Sequence, residues 1–262
     1  QNNDSISEVS VCKEKGIDFA STPYSNDEVD YLLTDCQVPF IKVASMDINN
    51  LKFLRYIAET GSAVVLSTGM ATFNEVKEAV EIFKRTGNDN LTILHCTSVY
   101  PSPPEIINLN NVITLQEMFP EYEIGYSDHT IGIEVPLASI AMGCRVIEKH
   151  FTLDKSKIGM DNQMATEVEE FEDLIKSIKQ IHRSLGNENR ILSDSELRMK
   201  ETMRRSLVAA VDISVGDTIT SDMLTAKRPP SGIPPNQIDL IIGKQAQINI
   251  QKDRVIHFED IK

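Results

Sequence analysis

Tryptophan is absent from the 262 residues, aromatics make up 6% of them, and positive charge is scarce: 26 Lys and Arg face 39 Asp and Glu, for a formal net charge of −13. Nucleic acid and anionic membranes both call for a basic stripe, so an acidic balance of this size argues against either as partner. It leaves room for an anionic small molecule, because a pocket can be basic inside an acidic shell. No apolar run approaches the roughly 18 residues of a membrane span, and no signal-peptide pattern opens the chain. Cysteine is limited to Cys12, Cys36, Cys96 and Cys144, too scattered for a zinc spacing or a disulfide framework, and these are expected to be reduced thiols of a cytoplasmic protein. A Gly-rich dinucleotide fingerprint follows none of the apolar runs, which weakens a doubly wound fold.

What is present is a rhythm. Short β-rich runs at 17–21, 40–44, 63–66, 91–95, 123–126 and 145–148 start roughly 20 to 30 residues apart, room for one strand, one helix and two loops. They are apolar without strict alternation, as parallel strands covered on both faces are. Helix starts are marked by capping-box patterns at Ser25 and Glu28, Thr72 and Glu75, and Thr166 and Glu169. Amphipathic spacing runs over 72–86 and 166–185, with Gly87 and Gly186 as stops. Polar residues gather where each run ends: Ser21 and Thr22; Lys42, Ser45 and Asp47; Ser67 and Thr68; His95, Thr97, Ser98 and Tyr100; Ser127, Asp128 and His129; Glu148 and His150. In a (β/α)8 barrel those ends converge on one face, where active sites lie. We therefore expect an α/β fold of the TIM-barrel type. Only six strands are visible, and 5–15 reads as a helix ahead of them, so two further strands and a helix are expected before Gln1. The expected division is a barrel over 1–186, a polar linker over 187–202, and a small β-rich domain over 203–262. The small domain carries a faint internal repeat, in which the eleven residues from Ile213 resemble those from Ile250.

His129 and His150 close consecutive predicted strands, which sets them side by side. Two imidazoles with oxygen ligands suit a divalent transition metal, although a histidine taken alone is more often a packed residue. Lys42 lies in an apolar strand, where a cation needs a partner. With Ser45, Ser67, Ser98 and Ser127 it could cradle a phosphate or carboxylate, although such serines more often satisfy loop backbone. Cys96 reads as core, His182 as surface, and His257 has no partner suggested. Glu148 faces inward or pairs with Lys149.

At these strand ends the runs FASTPYS, IKVASMD, VVLSTGM, LHCTSVYPSP, IGYSDHT and IEKHFT, with KRPPSG and Gly243-Lys244 further on, resemble the sialic acid synthase family in order and spacing, across essentially the whole chain. The resemblance implies a (β/α)8 barrel, here lacking its first strands, joined to a C-terminal antifreeze-like (SAF) β-clip domain. It implies a cytoplasmic homodimer in which the small domain of one chain closes over the barrel of the other. The implied reaction joins phosphoenolpyruvate, an N-acetylated hexosamine and water into a nine-carbon acid and phosphate. Mn²⁺ is the first expectation for its metal, with Mg²⁺ or Co²⁺ as alternatives. Carried over by position, His129 and His150 are metal ligands, Lys42, Ser45, Ser67 and Ser127 hold phosphoenolpyruvate, and Ser98 is a substrate-binding position where relatives can carry Asn, either of which can donate a hydrogen bond. Tyr100 and Asp161 face the sugar, and Arg228 reaches the acetamido group. Lys42, Asp47 and Asp161 form the catalytic set. Asp47 departs from the Glu of sialic acid synthases, and IKVASMDINN resembles the legionaminic-type branch. Two other readings compete: a phosphoenolpyruvate-dependent synthase acting on a sugar phosphate, and a truncated barrel that binds a ligand or partner without turnover.

Overall fold

A computed structural model describes residues 2–159 and 161–262, with side chains from residue 7 onward. The chain forms two compact units, Gln1–Gly186 and Asn187–Lys262.

In the first unit five strands form one parallel sheet: β1 (Ile41–Val43), β2 (Val64–Ser67), β3 (Leu91–Cys96), β4 (Glu123–Asp128) and β5 (Ile147–Lys149). Their order in the sheet is their order in the chain. No strand order reverses, so there is no crevice of the doubly wound kind, and the sheet is the consecutive arc of a barrel. Helix α1 (Asn2–Lys15) and helix α2 (Asn26–Thr34) precede the sheet. Its crossovers are α3 (Leu51–Glu59), α4 (Phe73–Thr86), α5 (Asn111–Met118) and α6 (Glu134–Ala141), and α7 (Val168–Leu185) follows β5. Among the described residues no helix is long and apolar enough to cross a membrane.

Alternation along the strands sorts the residues. Ile41, Val43, Val64, Leu66, Ile93, Ile124 and Tyr126 point outward into one core with Val29, Leu54, Ile57, Val76, Ala79, Phe83 and Leu115 of the helices. Their neighbours in sequence point to the concave side. There, Phe40 and Val146, each just ahead of an edge strand, face a common apolar cavity of about 590 Å³, with Val65 and Leu94 between them and Phe171 and Leu174 of α7 beside them. Two opposite edges meeting across one space is the curvature of a barrel.

Two expectations are corrected here. Residues 17–21 form no strand. The segment lies beside β1, where the amide of Lys42 donates to the Ser21 carbonyl at 3.3 Å, but no ladder develops. Thr166 does not cap α7; Glu167 holds that position without a side-chain bond. Thr166 is drawn into strand pairing instead, its amide donating to the His150 carbonyl at 2.8 Å and its carbonyl accepting from Thr152 at 2.9 Å. The boxes at Thr72 and Ser25 do form at their hydroxyls, each accepting from the amide three residues on. The expected polar linker, 187–202, contains a helix. Helix α8 (Asp194–Met203) begins there, opened by a capping box between Ser193 and Glu196 and braced by an Arg190–Glu196 ion pair at 2.6 Å. None of its residues is buried, so it carries no amphipathic stripe, and Ser193-x-x-Glu196 is the one signal that could have announced it.

The second unit folds on the internal repeat. A hairpin of β6 (Ser206–Ala209) and β7 (Leu224–Lys227) is antiparallel. Ile213 and Ile250, equivalent in the repeat, exchange both backbone hydrogen bonds at 2.8 Å, so the two copies meet about a local two-fold. Equivalent turns follow, at Gly216 (φ 89°) and Asp253 (φ 71°), left-handed positions that Gly and Asp tolerate best. Equivalent Ile219 and Ile256 are both fully buried, and each copy ends in a 3-10 turn, Ser221–Met223 and Phe258–Asp260.

Leu54 is fully buried between α3 and the sheet. Leu54→Ala is expected to destabilise the first unit by roughly 3 kcal/mol. The urea-unfolding midpoint should fall at unchanged slope; an unchanged midpoint would mean that this outer layer does not stabilise the sheet.

Candidate active site

The carboxyl ends of the strands bound a cavity of about 520 Å³. Inward positions supply it: Lys42 from β1, Ser67 from β2, Cys96 from β3, Ser127 from β4, Glu148 from β5, and His129 and His150 just beyond β4 and β5. Ser45, Ser98 and Tyr100 enter from the loops after β1 and β3.

A connected set of donors runs across the floor. Lys42 Nζ donates to Ser67 Oγ at 2.8 Å and to the Val43 carbonyl at 3.0 Å, and stands 3.4 Å from Glu148 Oε1. Ser127 Oγ donates to Glu148 Oε2 at 2.6 Å, and Ser67 Oγ to the same oxygen at 3.4 Å. A carboxylate thus already rests among the groups expected to hold an anion. Glu148 pairs with Lys42 and not with Lys149, which corrects that alternative. Beside it the Gly69 amide donates to Ser45 Oγ at 2.9 Å. A Cβ on Gly69 would lie 2.1 Å from Ser98 Oγ and 2.8 Å from Ser45 Oγ, so a side chain here would have to turn both hydroxyls out of the cradle.

The rings of His129 and His150 stand 5.3 Å apart, with the Tyr100 ring 4.3 Å from the first and 5.8 Å from the second. Nδ1 of His129 lies 3.1 Å from the Thr97 carbonyl, which can only accept, so Nδ1 carries a proton and in the neutral ring Nε2 keeps its lone pair. Burial opposes charge on His129, yet the Cys96 thiol and the Thr97 carbonyl raise it above the usual imidazole value. Burial, then the His129 ring, lowers His150. Cys96, read from sequence as core, is buried but lines this cavity, with its sulfur 3.6 Å from Ser45 Oγ, 3.7 Å from Ser98 Oγ and 3.9 Å from His129 Nδ1. Burial pushes its thiol up, but His129 and the two hydroxyls outweigh that and leave it below the ordinary value. At Cys144 burial outweighs the one hydroxyl beside it, that of Ser139, and pushes the thiol up to about 11. The adjacent His95 is structural: its Nε2 meets the Ile107 carbonyl at 2.8 Å and its ring stacks on Tyr126.

The cavity therefore brings together Lys42, Ser45, Ser67, Ser98, Tyr100, Ser127, His129 and His150. Asp47 lies outside its lining, in the 3-10 turn Ser45–Asp47, accepting from Asn50 Nδ2 at 3.1 Å. Asp161 also lies outside it, close enough to act electrostatically on both His150 and Tyr100. Arg228 belongs to the second unit, on the loop after β7, its guanidinium 3.2 Å from Met203 Sδ. Sequence reasoning gave no role to Asp128 and considered Lys149 only as a partner of Glu148; the two form a buried ion pair at 2.5 Å. The signal was there: each immediately precedes a proposed ligand.

Fold and cavity together define a barrel-type α/β enzyme with its site at the carboxyl ends of the strands. Residues 2–190 match the NeuB family, and residues 204–262 match the SAF domain. N,N'-diacetyllegionaminic acid synthase of Campylobacter jejuni is 39% identical over 93% of this chain and 73% of its own. N-acetylneuraminate-9-phosphate synthase of Mus musculus is 37% identical over 97% of this chain and 70% of its own. The crystal structure of N-acetylneuraminic acid synthetase from Leptospira borgpetersenii superposes with a TM-score of 0.71 at 32% identity, covering 78% of this chain and 71% of that one. The chain belongs to the NeuB family, and with it to the sialic-acid-synthase type of enzyme.

Glu148→Gln removes a negative charge from the floor while keeping an acceptor for Ser127. Its side chain is 41% exposed, so solvent screens much of the effect. Inorganic phosphate, titrated calorimetrically, should bind roughly three- to tenfold tighter to this variant. Equal or weaker binding would show that Glu148 does not compete for the anion's place.

Proposed function

We propose that this enzyme condenses phosphoenolpyruvate with an N-acetylated hexosamine and water, giving a nine-carbon sialic-type acid and inorganic phosphate. The observation that carries the reading is one cavity holding both a Lys–Ser cradle and a histidine pair. Lys42, with Ser45, Ser67, Ser98 and Ser127, would hold the phosphate and carboxylate of phosphoenolpyruvate by charge-assisted hydrogen bonds. These groups donate without forming a covalent bond, and stabilise charge that shifts as the reaction proceeds. The vinyl carbon attacks the open-chain aldehyde of the sugar, water adds to the carbon left electron-poor, and the C–O–phosphate carbon releases phosphate. Holding both reactants in one cavity supplies proximity.

The histidine pair fits a divalent ion, Mn²⁺ before Mg²⁺ or Co²⁺. His129 commits Nδ1 to Thr97 and offers Nε2, and His150 stands beside it. Among the described residues no third His, Cys, Asp or Glu completes a cluster, which leaves the other positions to oxygen ligands of water or substrate. When bound, the ion supplies Lewis-acid polarisation of the aldehyde oxygen. Tyr100 would cover the pair, and Asp161, and Asp47 on its turn, would meet the sugar. Arg228 would meet the acetamido group from the small domain of a second copy in a domain-swapped homodimer, a reading supported by the family resemblance of the KRPPSG loop. Four free thiols suit the reducing cytoplasm.

Relatives include a 9-phosphate synthase, so the presence of a small domain does not argue against a phosphosugar. The cavity does. Its two lysines are both committed, Lys42 to Glu148 and Lys149 to Asp128, and no unpaired cation among its lining waits for a second phosphate.

The test is phosphate release from phosphoenolpyruvate with Mn²⁺ and, in turn, N-acetylmannosamine, its 6-phosphate and a 2,4-diacetamido hexose. Release should require an unphosphorylated amino sugar and stop in chelator. His150→Ala should cut it at least about 100-fold, and Lys42→Met should raise KM for phosphoenolpyruvate about tenfold or more. Release with the 6-phosphate alone would overturn the choice of sugar, and metal-independent release would overturn the role of the histidines.

A further inference from the structure

We propose that the buried Asp128–Lys149 pair sets the spacing of His129 and His150, acting as a pair of positioning residues for the divalent ion; the inference rests on the metal reading above. The pair is dry, with side-chain exposures of 0% for Asp128 and 3% for Lys149. It lies on the outward face of β4 and β5, where the parallel register sets Asp128 directly opposite Lys149. Side chains alternate, so the next residue on each strand, His129 or His150, turns inward.

The bonds of the pair surround His129. Asp128 Oδ1 accepts from Tyr126 Oη at 3.0 Å, from the Thr130 amide at 3.1 Å and from Thr130 Oγ1 at 2.8 Å. Lys149 Nζ donates to Asp128 Oδ2 at 2.5 Å and to the Thr130 carbonyl at 2.9 Å. Both residues flanking His129 are therefore held by one cluster, and the lysine of that cluster is joined by a peptide bond to His150. The backbone carbonyls of the two histidines are themselves fixed, by the Ser102 amide at 2.8 Å and the Thr166 amide at 2.8 Å. Each ring is left little freedom except rotation about its own side-chain bonds.

Stability alone gives a weak reason for charges at this place. Taking two ions out of water costs about what their attraction returns, and a packed apolar pair of similar volume commonly serves as well. An apolar pair has no fixed length or direction, whereas a hydrogen-bonded ion pair has both. The arrangement is that of outer partners that orient metal ligands, whose loss typically weakens metal binding by about 10- to 100-fold. Both residues border the cavity, but their side chains are taken up by each other, by Thr130 and by Tyr126.

The decisive comparison is Mn²⁺ affinity, read on the full chain by electron paramagnetic resonance of free Mn²⁺, beside the thermal midpoint in chelator. The double variant Asp128→Leu/Lys149→Met removes both charges together. It should keep a near-native midpoint and lose Mn²⁺ affinity by about 10- to 100-fold. Leu54→Ala, far from the site, should lower the midpoint and leave Mn²⁺ affinity unchanged. A folded double variant with native Mn²⁺ affinity would overturn the proposal. Should the double variant not fold, Asp128→Glu decides: it keeps the charge but lengthens the arm, and unchanged Mn²⁺ affinity there is equally fatal. His150→Ala separates the two readings. If wild type and His150→Ala bind Mn²⁺ equally weakly, the metal reading falls and takes this inference with it; if wild type binds and His150→Ala does not, the metal reading holds and the Asp128 and Lys149 variants alone decide the positioning role.

Discussion

Side-chain alternation along the parallel strands is the constraint on which the site depends. Sliding β4 by one residue against its neighbours would turn Ser127 and His129 outward and bring Tyr126 and Asp128 into the cavity. What prevents the slip is the apolar outer set, Ile124 and Tyr126 among it, which packs against the helices with almost no exposure. Burial at about 25 cal/mol per Å² on one face thus fixes the chemistry on the other. The polar cavity needs no stabilising contribution of its own, and its contents are free to be chosen for function.

Two ion pairs illustrate the difference between the faces. Asp128 and Lys149 sit on the outer side, sealed among packed side chains, with a fixed register and several further hydrogen bonds. Lys42 and Glu148 sit on the inner side, at 3.4 Å, where the carboxylate is 41% exposed. The first pair is costly to break and suits a fixed dimension. The second is screened and can exchange, so the same ammonium and hydroxyls that hold Glu148 can turn to another anion. Local position, more than residue type, separates scaffold from cradle.

Much of this was legible in the sequence because the relevant signals are local. Strand spacing, the Thr72 capping box and the strand-end clusters depend on a few adjacent residues, and β2 to β5 and α4 appear where they were expected. Most of the misses share a cause. Residues 17–21 have strand composition, but a strand needs a ladder, and composition says nothing about partners. Thr166 looked like a cap because its neighbours spell one; its backbone was claimed by Phe151 and His150, far enough away in sequence to be invisible. Cys96 looked like core because thiols usually are, and it is buried; that burial happens to be against Ser45, Ser98 and His129. Helix α8 has no apolar stripe and escaped a reading based on periodicity. Long-range contact, not local preference, decided the first three of these cases, whereas the one signal of α8 is the local box of Ser193 and Glu196.

The charges around the cavity also bear on how its two halves work together. Lys42 and Lys149 are balanced by Glu148 and Asp128, so the lining charges cancel. The chain's own side chains therefore contribute directed hydrogen bonds but no net positive charge, on a protein whose formal balance is −13. A multiply charged anion entering such a site must give up water without a net attractive field to offset the loss. On the proposed reading, the compensating charge is the divalent ion at His129 and His150, and metal and phosphoenolpyruvate must then bind with positive coupling. By linkage the coupling is reciprocal: the anion tightens the ion by the factor by which the ion tightens the anion. The cradle and the histidine pair are, in that sense, one site built from two sets of strand ends, and the spacing between β4 and β5 matters to both.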